Sequence, residues 1–528
     1  MKLYYKNSPG WKYFEKKDLK VACQGDVEII ENSIDYIKKE DLPGLSHYLS
    51  GANGHFAGII ETGKLVIAFV DHSRTIPVFY SDHIVSNQST VVEGSSQNKL
   101  LYESCLEFIM AGYCLSSSTL YENHYQLSAS ELLVFNKAQD ECEVSEYYCF
   151  NESEVSMDSV DVLIEELAEI FDEVIGDVIR RANGHQIWIP LSAGLDSRLL
   201  ISQFRRNGYD NLQSFSYGRY GNEAKYARKI AAKLDVKWRF IPTTWRQAQT
   251  FHHTEARKEY WKYASSYSCT PNMQDMLPLS RMLKDNIIKE GAFVINGQSG
   301  DFITGGHIPE FLLSGEDDKN QLYLYILNKH FSLWRNYRNE KYDRIISQGL
   351  DSLLNHRKGD LWRSYEYWEF KERQTKFVIN GQRIYDFLGM NWQLPFWDQR
   401  LLRFWSKIPA NFKIGQSLYI EYLRRSNYKG VFDSLRPKMP VYTGFPRLFF
   451  PLIRLSEFVL GNRRMRELLN NFHFFDRYNY QYAPYNYNQY SDYSRFIRNS
   501  ISLQVLSWMR ETLKLDISDE SIFSSKIV

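Results

Sequence analysis

The residues with the clearest chemical potential form a short loop of small and polar side chains. Residues 192–197 contain two serines, one glycine and one carboxylate, Asp196. They follow an apolar run at 187–191 and precede a helix-like stretch that ends before Gly208. Small residues let backbone N–H groups approach an anion, and a helix N-terminus favours negative charge. The pattern predicts a phosphate-binding loop between a buried strand and a helix.

This loop differs from two common phosphate-binding patterns. It has no G-x-x-x-x-G-K-[ST] order, and no lysine follows it to reach a phosphate. It also lacks the G-x-G-x-x-G order of dinucleotide-binding turns. A second loop has a related composition, because the apolar run 292–295 leads into Gly297 and Asp301.

The segments around these loops alternate between strand and helix patterns. Strands are predicted at 187–191, 212–218 and 237–242, with helices at 198–207 and 222–234 between them. Such alternation indicates a parallel sheet with right-handed crossovers. Ligands of these sheets lie at the carboxyl ends of the strands, which is where both loops are expected.

The first 150 residues have a different pattern, with short strands and few helices. Apolar runs at 55–60 and 65–70 flank a turn and predict a hairpin. Further strands are predicted at 27–30, 77–80 and 132–135, with a break at 42–44 and a helix at 103–113. A polar stretch at about 151–160 marks the expected boundary, followed by an amphipathic helix over 161–181.

Composition narrows the class of protein. Lys plus Arg number 64 and Asp plus Glu number 63, so no excess positive charge indicates a nucleic-acid partner. The six cysteines form no C-x-x-C pair, which is typical of reduced thiols in a cytoplasmic protein. Neither a signal-peptide pattern at the N-terminus nor an 18-residue apolar window occurs, so no membrane association is expected.

The order Ser192, Gly194, Leu195, Asp196, Ser197 after a strand resembles the pyrophosphate loop of the asparagine synthetase and beta-lactam synthetase family. Those enzymes usually have a second glycine where this chain has Ala193. Three further segments resemble the family in the same order along the chain: residues 54–80, the loop 296–302, and Pro395, Phe396 and Asp398 in 391–398.

The resemblance implies an α/β fold with two domains. Residues 1–150 would form a degenerate class II glutamine amidotransferase-like domain, an Ntn-hydrolase-like αββα sandwich. Residues 151–528 would form a parallel-sheet ATP-pyrophosphatase domain with a helical C-terminal part.

The resemblance also implies a site that binds ATP and Mg²⁺. Asp196 and Asp301 would hold the metal, since Mg²⁺ prefers carboxylate and phosphate oxygens. Either aspartate, taken alone, could instead be a helix cap. Arg424 and Lys438 are the candidates for stabilising the charge that develops as pyrophosphate leaves. The residues expected to bind the nucleotide are Leu191, Ser192, Gly194, Leu195, Asp196, Ser197, Ser216 and Gly297.

The chain departs from the family at positions that matter for chemistry. Lys2 stands where glutamine-dependent members have their nucleophilic cysteine, and Cys23 has no free α-amine to assist it. Asn391 and Ile420 stand where the family has a glutamate and a lysine. We therefore expect no glutaminase activity and an altered acyl-acceptor site.

The predicted function is an ATP-dependent, AMP-forming carbon–nitrogen ligase. It would adenylate a small-molecule carboxylate and transfer it to ammonia or an amine, with a separate glutaminase as one source of ammonia. A homodimer is a possible assembly. Two alternatives stay open: an amide synthetase dedicated to polysaccharide or peptide modification, and a non-catalytic pseudo-synthetase that binds nucleotide or a partner.

Overall fold

The computed structural model describes residues 1–89, 99–313, 318–354, 360–435, 481 and 484–518. The N-terminal part contains two β-sheets, of six and four strands. Their strands are β1 Lys2–Tyr4, β2 Lys12–Lys16, β3 Leu19–Gly25, β4 Phe56–Glu61, β5 Leu65–Val70, β6 Phe79–Tyr80, β7 Ile84–Ser86, β8 Tyr125–Gln126, β9 Glu131–Asn136 and β10 Glu141–Glu146. Along the six-stranded sheet the order is β10-β9-β5-β4-β3-β2, with every neighbouring pair antiparallel. The four-stranded sheet has the order β1-β7-β6-β8.

The central strands β4 and β5 of the six-stranded sheet are buried on both faces because their apolar residues alternate between two cores, whereas the outer strands β2 and β10 are exposed. One face packs with the helices Val27–Lys38 and Leu42–Gly51, and includes Phe56 and Phe69. The other face packs against the four-stranded sheet and includes Ile59. The predicted hairpin is confirmed, with β4 and β5 paired antiparallel. This layering of helices and two sheets is consistent with the expected sandwich.

Two local predictions in this part are wrong. Residues 27–30, expected as a strand, begin the helix Val27–Lys38. Its buried isoleucines recur at helical spacing as far as Ile37, a periodicity that a four-residue window cannot reveal. The expected break at 42–44 instead opens the helix Leu42–Gly51, because proline is well tolerated in a first helical turn.

The second half of the chain is built on a five-stranded sheet in which all neighbours are parallel. The strands are β11 Ile187–Pro190, β12 Leu212–Gly218, β13 Lys237–Pro242, β14 Phe293–Ile295 and β15 Asn391–Gln393. Their order in the sheet is β13-β12-β11-β14-β15. The predicted strand–helix alternation and the predicted α/β fold class are therefore confirmed. β15 was not predicted, since it is short and lies on the edge of the sheet.

Helices surround this sheet and form most of the remaining C-terminal structure. The predicted amphipathic helix is confirmed as Val160–Ala182, capped by the Ser159 hydroxyl and ended by Asn183 in a left-handed conformation. After Val27–Lys38 and Leu42–Gly51, the α-helices within the described residues are Tyr102–Ala111, Val160–Ala182, Leu195–Arg206, Asn222–Lys233, Trp245–His252, Glu255–Ser265, Met276–Lys284, Gly300–Ile303, Lys319–His330, Glu340–Leu354, Leu361–Glu369, Arg383–Phe387, Gln399–Lys407, Ala410–Lys413, Ser417–Arg425, Tyr487–Tyr493 and Ser500–Trp508. No helix within the described ranges is both long enough and apolar enough to cross a membrane.

One large core joins this region to the helix Tyr102–Ala111 of the N-terminal part. Phe150, at the expected boundary, is fully buried in the same core and stacks on Phe370 at 4.7 Å. The boundary near residue 150 stays a prediction.

A buried ion pair lies in the helical layer and provides a test of the fold. Lys413 Nζ lies 2.6 Å from Glu366 Oε2, and the two side chains are 0% and 1% exposed. We expect Lys413→Met to lower the free energy of unfolding by about 3–5 kcal/mol, because it leaves the buried Glu366 carboxylate with the Asn151 amide but without a cationic partner. Urea unfolding should also show that Lys413→Met/Glu366→Leu recovers much of that loss.

The exposed pair formed by Lys64 and Glu40 provides the control for this measurement. Lys64→Met should change the free energy of unfolding by less than about 1 kcal/mol. An equal loss in both single variants would contradict the assignment of a buried pair.

Candidate functional site

The loop of residues 192–197, here the Ser192 loop, joins β11 to the helix Leu195–Arg206. Ser197 Oγ accepts a hydrogen bond from the Ser192 N–H at 3.2 Å, and Ser192 Oγ accepts one from the Gly194 N–H at 3.0 Å. The helix begins at Leu195, three residues earlier than predicted, so Asp196 and Ser197 lie in its first turn. Its N-cap residue, Gly194, supplies no capping side chain. The first turn therefore faces the loop with the geometry that favours an anion.

The second loop, residues 296–301 and here the Gly297 loop, packs directly against the first. A Cβ atom on Gly297 would lie 3.0 Å from the Ser197 backbone nitrogen. A Cβ atom on Gly300 would lie 2.5 Å from Asp196 Cγ. The two loops can approach this closely only because glycine has no side chain. The structure thus brings together the two loops that the sequence places about a hundred residues apart.

The two predicted metal ligands have different electrostatic surroundings. Burial, followed by the nearby charge of Asp301, raises the pKa of Asp196 to about 7. Partial burial acts to raise the pKa of Asp301, but the hydrogen bond and charge of His307 outweigh it and lower that pKa. Asp196 also accepts a hydrogen bond from the Asp301 backbone N–H. The negative charge of Asp301 therefore acts on Asp196, and the charge of His307 acts on Asp301.

A series of side-chain hydrogen bonds holds the Gly297 loop in place. Ser299 donates to Gln374 Oε1 at 2.8 Å, and Gln374 Nε2 donates to Glu369 Oε1 at 3.0 Å. His307 links Glu369 to Asp301, with distances of 2.6 Å and 3.2 Å. Burial acts to lower the pKa of His307, but the charge of Glu369 and the hydrogen bonds to both carboxylates raise it to about 9. This series of hydrogen bonds fixes the orientation of the Asp301 carboxylate.

Tyr419 orients the other carboxylate. Its hydroxyl donates to Asp196 Oδ1 at 2.9 Å from the helix Ser417–Arg425. We expect Tyr419→Phe to reduce the catalytic efficiency with Mg-ATP by about tenfold or more, the usual cost of losing a partner of a ligand group.

The same helix carries a matched control for this prediction. Tyr422 is equally buried but its hydroxyl accepts from Gln203, away from Asp196. Tyr422→Phe should leave the dependence of the rate on Mg-ATP concentration within about twofold. Equal effects of the two variants would contradict a specific role for Tyr419.

The two loops form one side of a cleft of about 560 Å³ at the carboxyl ends of the parallel strands. This volume is within the range typical of small-molecule sites. Seven of the eight residues predicted to bind the nucleotide, and both predicted metal ligands, line it. They are Leu191, Ser192, Gly194, Asp196, Ser197, Ser216, Gly297 and Asp301.

The remaining predicted residues lie elsewhere. Leu195 packs against the core instead of lining the cleft. Arg424 is exposed on its helix and pairs with Glu421 at 3.5 Å, and it is not among the described lining residues. Lys438 lies outside the described residues. Asn391 is exposed on β15, where its amide donates to the Gly291 carbonyl at 2.9 Å.

Sequence reasoning missed a buried polar network at the cleft. Asp275 accepts from the hydroxyls of Tyr217 and Tyr385, the latter at 2.6 Å, and Asn296 donates to Tyr385 at 3.1 Å. Burial raises the pKa of Asp275. No motif surrounds Asp275 in the sequence, so only its position in the fold identifies it. His307, six residues after Asp301, could have been noticed from its spacing.

Comparison with known proteins agrees with the family resemblance of the two loops. Residues 185–445 match the family model for asparagine synthase. This chain carries an asparagine synthase domain. At family level the match indicates an ATP-utilising ligase that forms an amide bond. No curated protein sequence matches the chain.

Two solved structures are similar at low identity. One is the NH3-dependent NAD synthetase from Campylobacter jejuni in complex with nitrate ion, at 17% identity and a TM-score of 0.22, covering 43% of this chain and 97% of that chain. The other is the glutamine-dependent NAD+ synthetase from Acinetobacter baumannii in complex with ADP, at 12% identity and a TM-score of 0.19, covering 55% of this chain and 63% of that one.

The residues that line the cleft fit the two groups that the sequence of this domain predicts there, ATP and Mg²⁺. The Ser192 loop offers backbone N–H groups and hydroxyls at a helix N-terminus, which suit phosphate oxygens. Asp196 and Asp301 offer hard oxygen ligands, which suit Mg²⁺. No group of three or more His, Cys, Asp or Glu side chains in the described ranges is arranged to hold a metal. The other ligands of a cation here would be phosphate oxygens and water.

Proposed function

We propose that this chain is an AMP-forming carbon–nitrogen ligase that activates a carboxylic acid with Mg-ATP and joins it to ammonia or an amine. The observation that carries the proposal is the direct packing of the Gly297 loop on Asp196, with both aspartates lining one cleft. This arrangement matches the needs of a nucleotide pyrophosphate, which requires N–H donors on one side and a shared cation on the other.

Each part of the cleft has a defined role in the proposal. Backbone N–H groups in the first turn of the helix Leu195–Arg206 would bind phosphate oxygens, and Asp196 and Asp301 would hold Mg²⁺, which supplies positive charge for the pyrophosphate. The substrate carboxylate attacks the α-phosphate, and pyrophosphate leaves. The nitrogen nucleophile then displaces AMP. Positioning and electrostatic stabilisation by fixed dipoles supply most of the rate enhancement in such a site.

Exchange of labelled pyrophosphate into ATP, measured over a panel of carboxylic acids, tests the proposal. Acid-dependent exchange is expected because adenylation is reversible before nitrogen attacks. If the protein binds ATP but supports no exchange with any acid or amine, the pseudo-synthetase alternative is preferred. The departures at Lys2, Asn391 and Ile420 favour that alternative.

The nitrogen source is proposed to be free ammonia, an amine substrate, or ammonia from a separate glutaminase. Cys23 is partly buried on β3, and burial raises the pKa of its thiol, which disfavours the nucleophilic thiolate. We expect the purified chain to release no glutamate from glutamine above the level of a Cys23→Ser control. Glutamate release that Cys23→Ser abolishes would show that this domain retains a glutaminase.

A further inference from the structure

A second cavity adjoins the cleft and differs from it in chemistry. It has a volume of about 220 Å³, against about 560 Å³ for the cleft. Tyr217, Asn272, Gln274 and Gln481 line both spaces, so the two are neighbours. An apolar cavity of about 150 Å³ is large enough to bind benzene. This second space, here the apolar cavity, can therefore hold a group as large as an aromatic ring.

Among the described residues, the lining of the apolar cavity combines apolar side chains with polar side chains that carry no formal charge. It contains no Lys, Arg, Asp or Glu, whereas Asp196, Arg219, Glu223, Asp275 and Asp301 all line the cleft. Its apolar and aromatic residues include Phe251, Trp261, Met273, Leu277 and Leu503, and its polar residues include Asn272, Gln274 and Gln504.

Several polar groups of the lining are already paired within the protein. Tyr485 and Ser507 share a hydrogen bond of 2.9 Å, and Trp261 donates to Met273 at 3.0 Å. His252 lies 3.1 Å from Glu511. Thr243 differs from these, because its buried hydroxyl has no hydrogen-bond partner. An occupant of this space would contact apolar side chains and the amides of Asn272 and Gln504, and the Thr243 hydroxyl is a buried polar group that it could satisfy.

We propose that the apolar cavity binds an aromatic or branched alkyl group of the carboxylic acid that the cleft activates. This inference rests on the proposed function and specifies its substrate class: an acid with a charged reacting end and an uncharged, apolar body. Ammonia is too small to require this space.

Direct binding tests the cavity independently of catalysis. Calorimetric titration without ATP should detect 3-phenylpropionate or 4-methylpentanoate binding, and should detect succinate binding at least tenfold more weakly. Ala248→Phe fills the cavity from the helix Trp245–His252 and should weaken binding of the apolar acids by about tenfold or more. If neither apolar acid binds, or if Ala248→Phe does not weaken binding, the proposal is overturned.

A second variant keeps the test informative if Ala248→Phe does not fold. Leu277 is only partly buried, so Leu277→Trp can narrow the cavity with less disturbance of the core. The matched control is Leu324→Trp, at a position that is 55% exposed on another helix. Leu277→Trp should weaken apolar-acid binding by about tenfold, while Leu324→Trp should leave it within twofold. Equal binding by both variants would overturn the proposal.

Pyrophosphate exchange separates this inference from the proposed function. We expect the ratio of kcat/KM for 3-phenylpropionate to that for succinate to fall at least tenfold in Ala248→Phe. Binding of apolar acids without pyrophosphate exchange would contradict the proposed ligase function but would support the proposed role of the apolar cavity. Exchange that favours succinate or aspartate, with a ratio that Ala248→Phe does not change, would sustain the ligase and overturn the cavity assignment.

Discussion

Asp301→Ala is expected to reduce acid-dependent pyrophosphate exchange by about 10²–10³-fold, the loss seen when one fixed electrostatic partner of a transition state is removed. Asp301 lines the cleft, and the hydrogen bond from His307 holds its carboxylate in the charged form. Without it, Asp196 alone would have to hold the cation against the leaving pyrophosphate. Initial rates at saturating ATP and varied Mg²⁺ concentration measure the loss.

Asp301→Asn and Asp285→Ala show whether the effect comes from the charge. Asp301→Asn keeps the shape of the side chain but removes its charge, so we expect a loss close to that of alanine. Asp285 is an exposed carboxylate at the end of the helix Met276–Lys284, and its replacement should leave the rate within twofold. If Asp301→Asn retained full exchange at every Mg²⁺ concentration, Asp301 would not be a metal ligand.

Gly300→Ala is expected to reduce exchange by about 10²-fold, because it separates the two loops. The added methyl group would lie 2.5 Å from Asp196 Cγ and 2.8 Å from Oδ1, well inside van der Waals contact. Either Asp196 or the whole Gly297 loop must then move, and displacements of about 1 Å in a catalytic site cost about this much. The thermal unfolding midpoint should change little by comparison.

Gly63→Ala is the matched control for this substitution. Gly63 lies in the turn between β4 and β5, and a Cβ atom there meets nothing within 4 Å. It should therefore leave exchange within twofold. Full activity of Gly300→Ala would show that the reaction tolerates separation of the two loops. It would then contradict the proposal that Asp196 and Asp301 share one cation.

Local sequence was sufficient to predict the elements that carry the site. The strands Leu212–Gly218 and Lys237–Pro242 were predicted to the residue, and the helix Val160–Ala182 to within one residue at each end. In each case an apolar pattern of the right period ends at turn or capping residues. Such signals are contained within a few neighbouring side chains, so they can be interpreted without tertiary contacts.

Predictions failed where the deciding contacts are distant in sequence or the pattern was too short. The stretch 27–30 is apolar enough for a strand, but its helix is defined by the face that packs on the six-stranded sheet. Arg424 was chosen from its motif, yet the rotation of its helix directs Tyr419 to Asp196 and leaves Arg424 exposed. A motif position cannot specify which face of a helix is buried.

The sequence by itself determined that this chain has two small-residue loops after buried strands, each with one aspartate, on a parallel α/β sheet. Those features follow from local composition and periodicity. Only the tertiary structure decided that Gly300 lies against Asp196, that His307 and Tyr419 orient the two carboxylates, and that an apolar cavity adjoins the cleft. The contacts of Gly300 and Tyr419 with Asp196 depend on strand order and helix packing, which bring together residues more than a hundred positions apart.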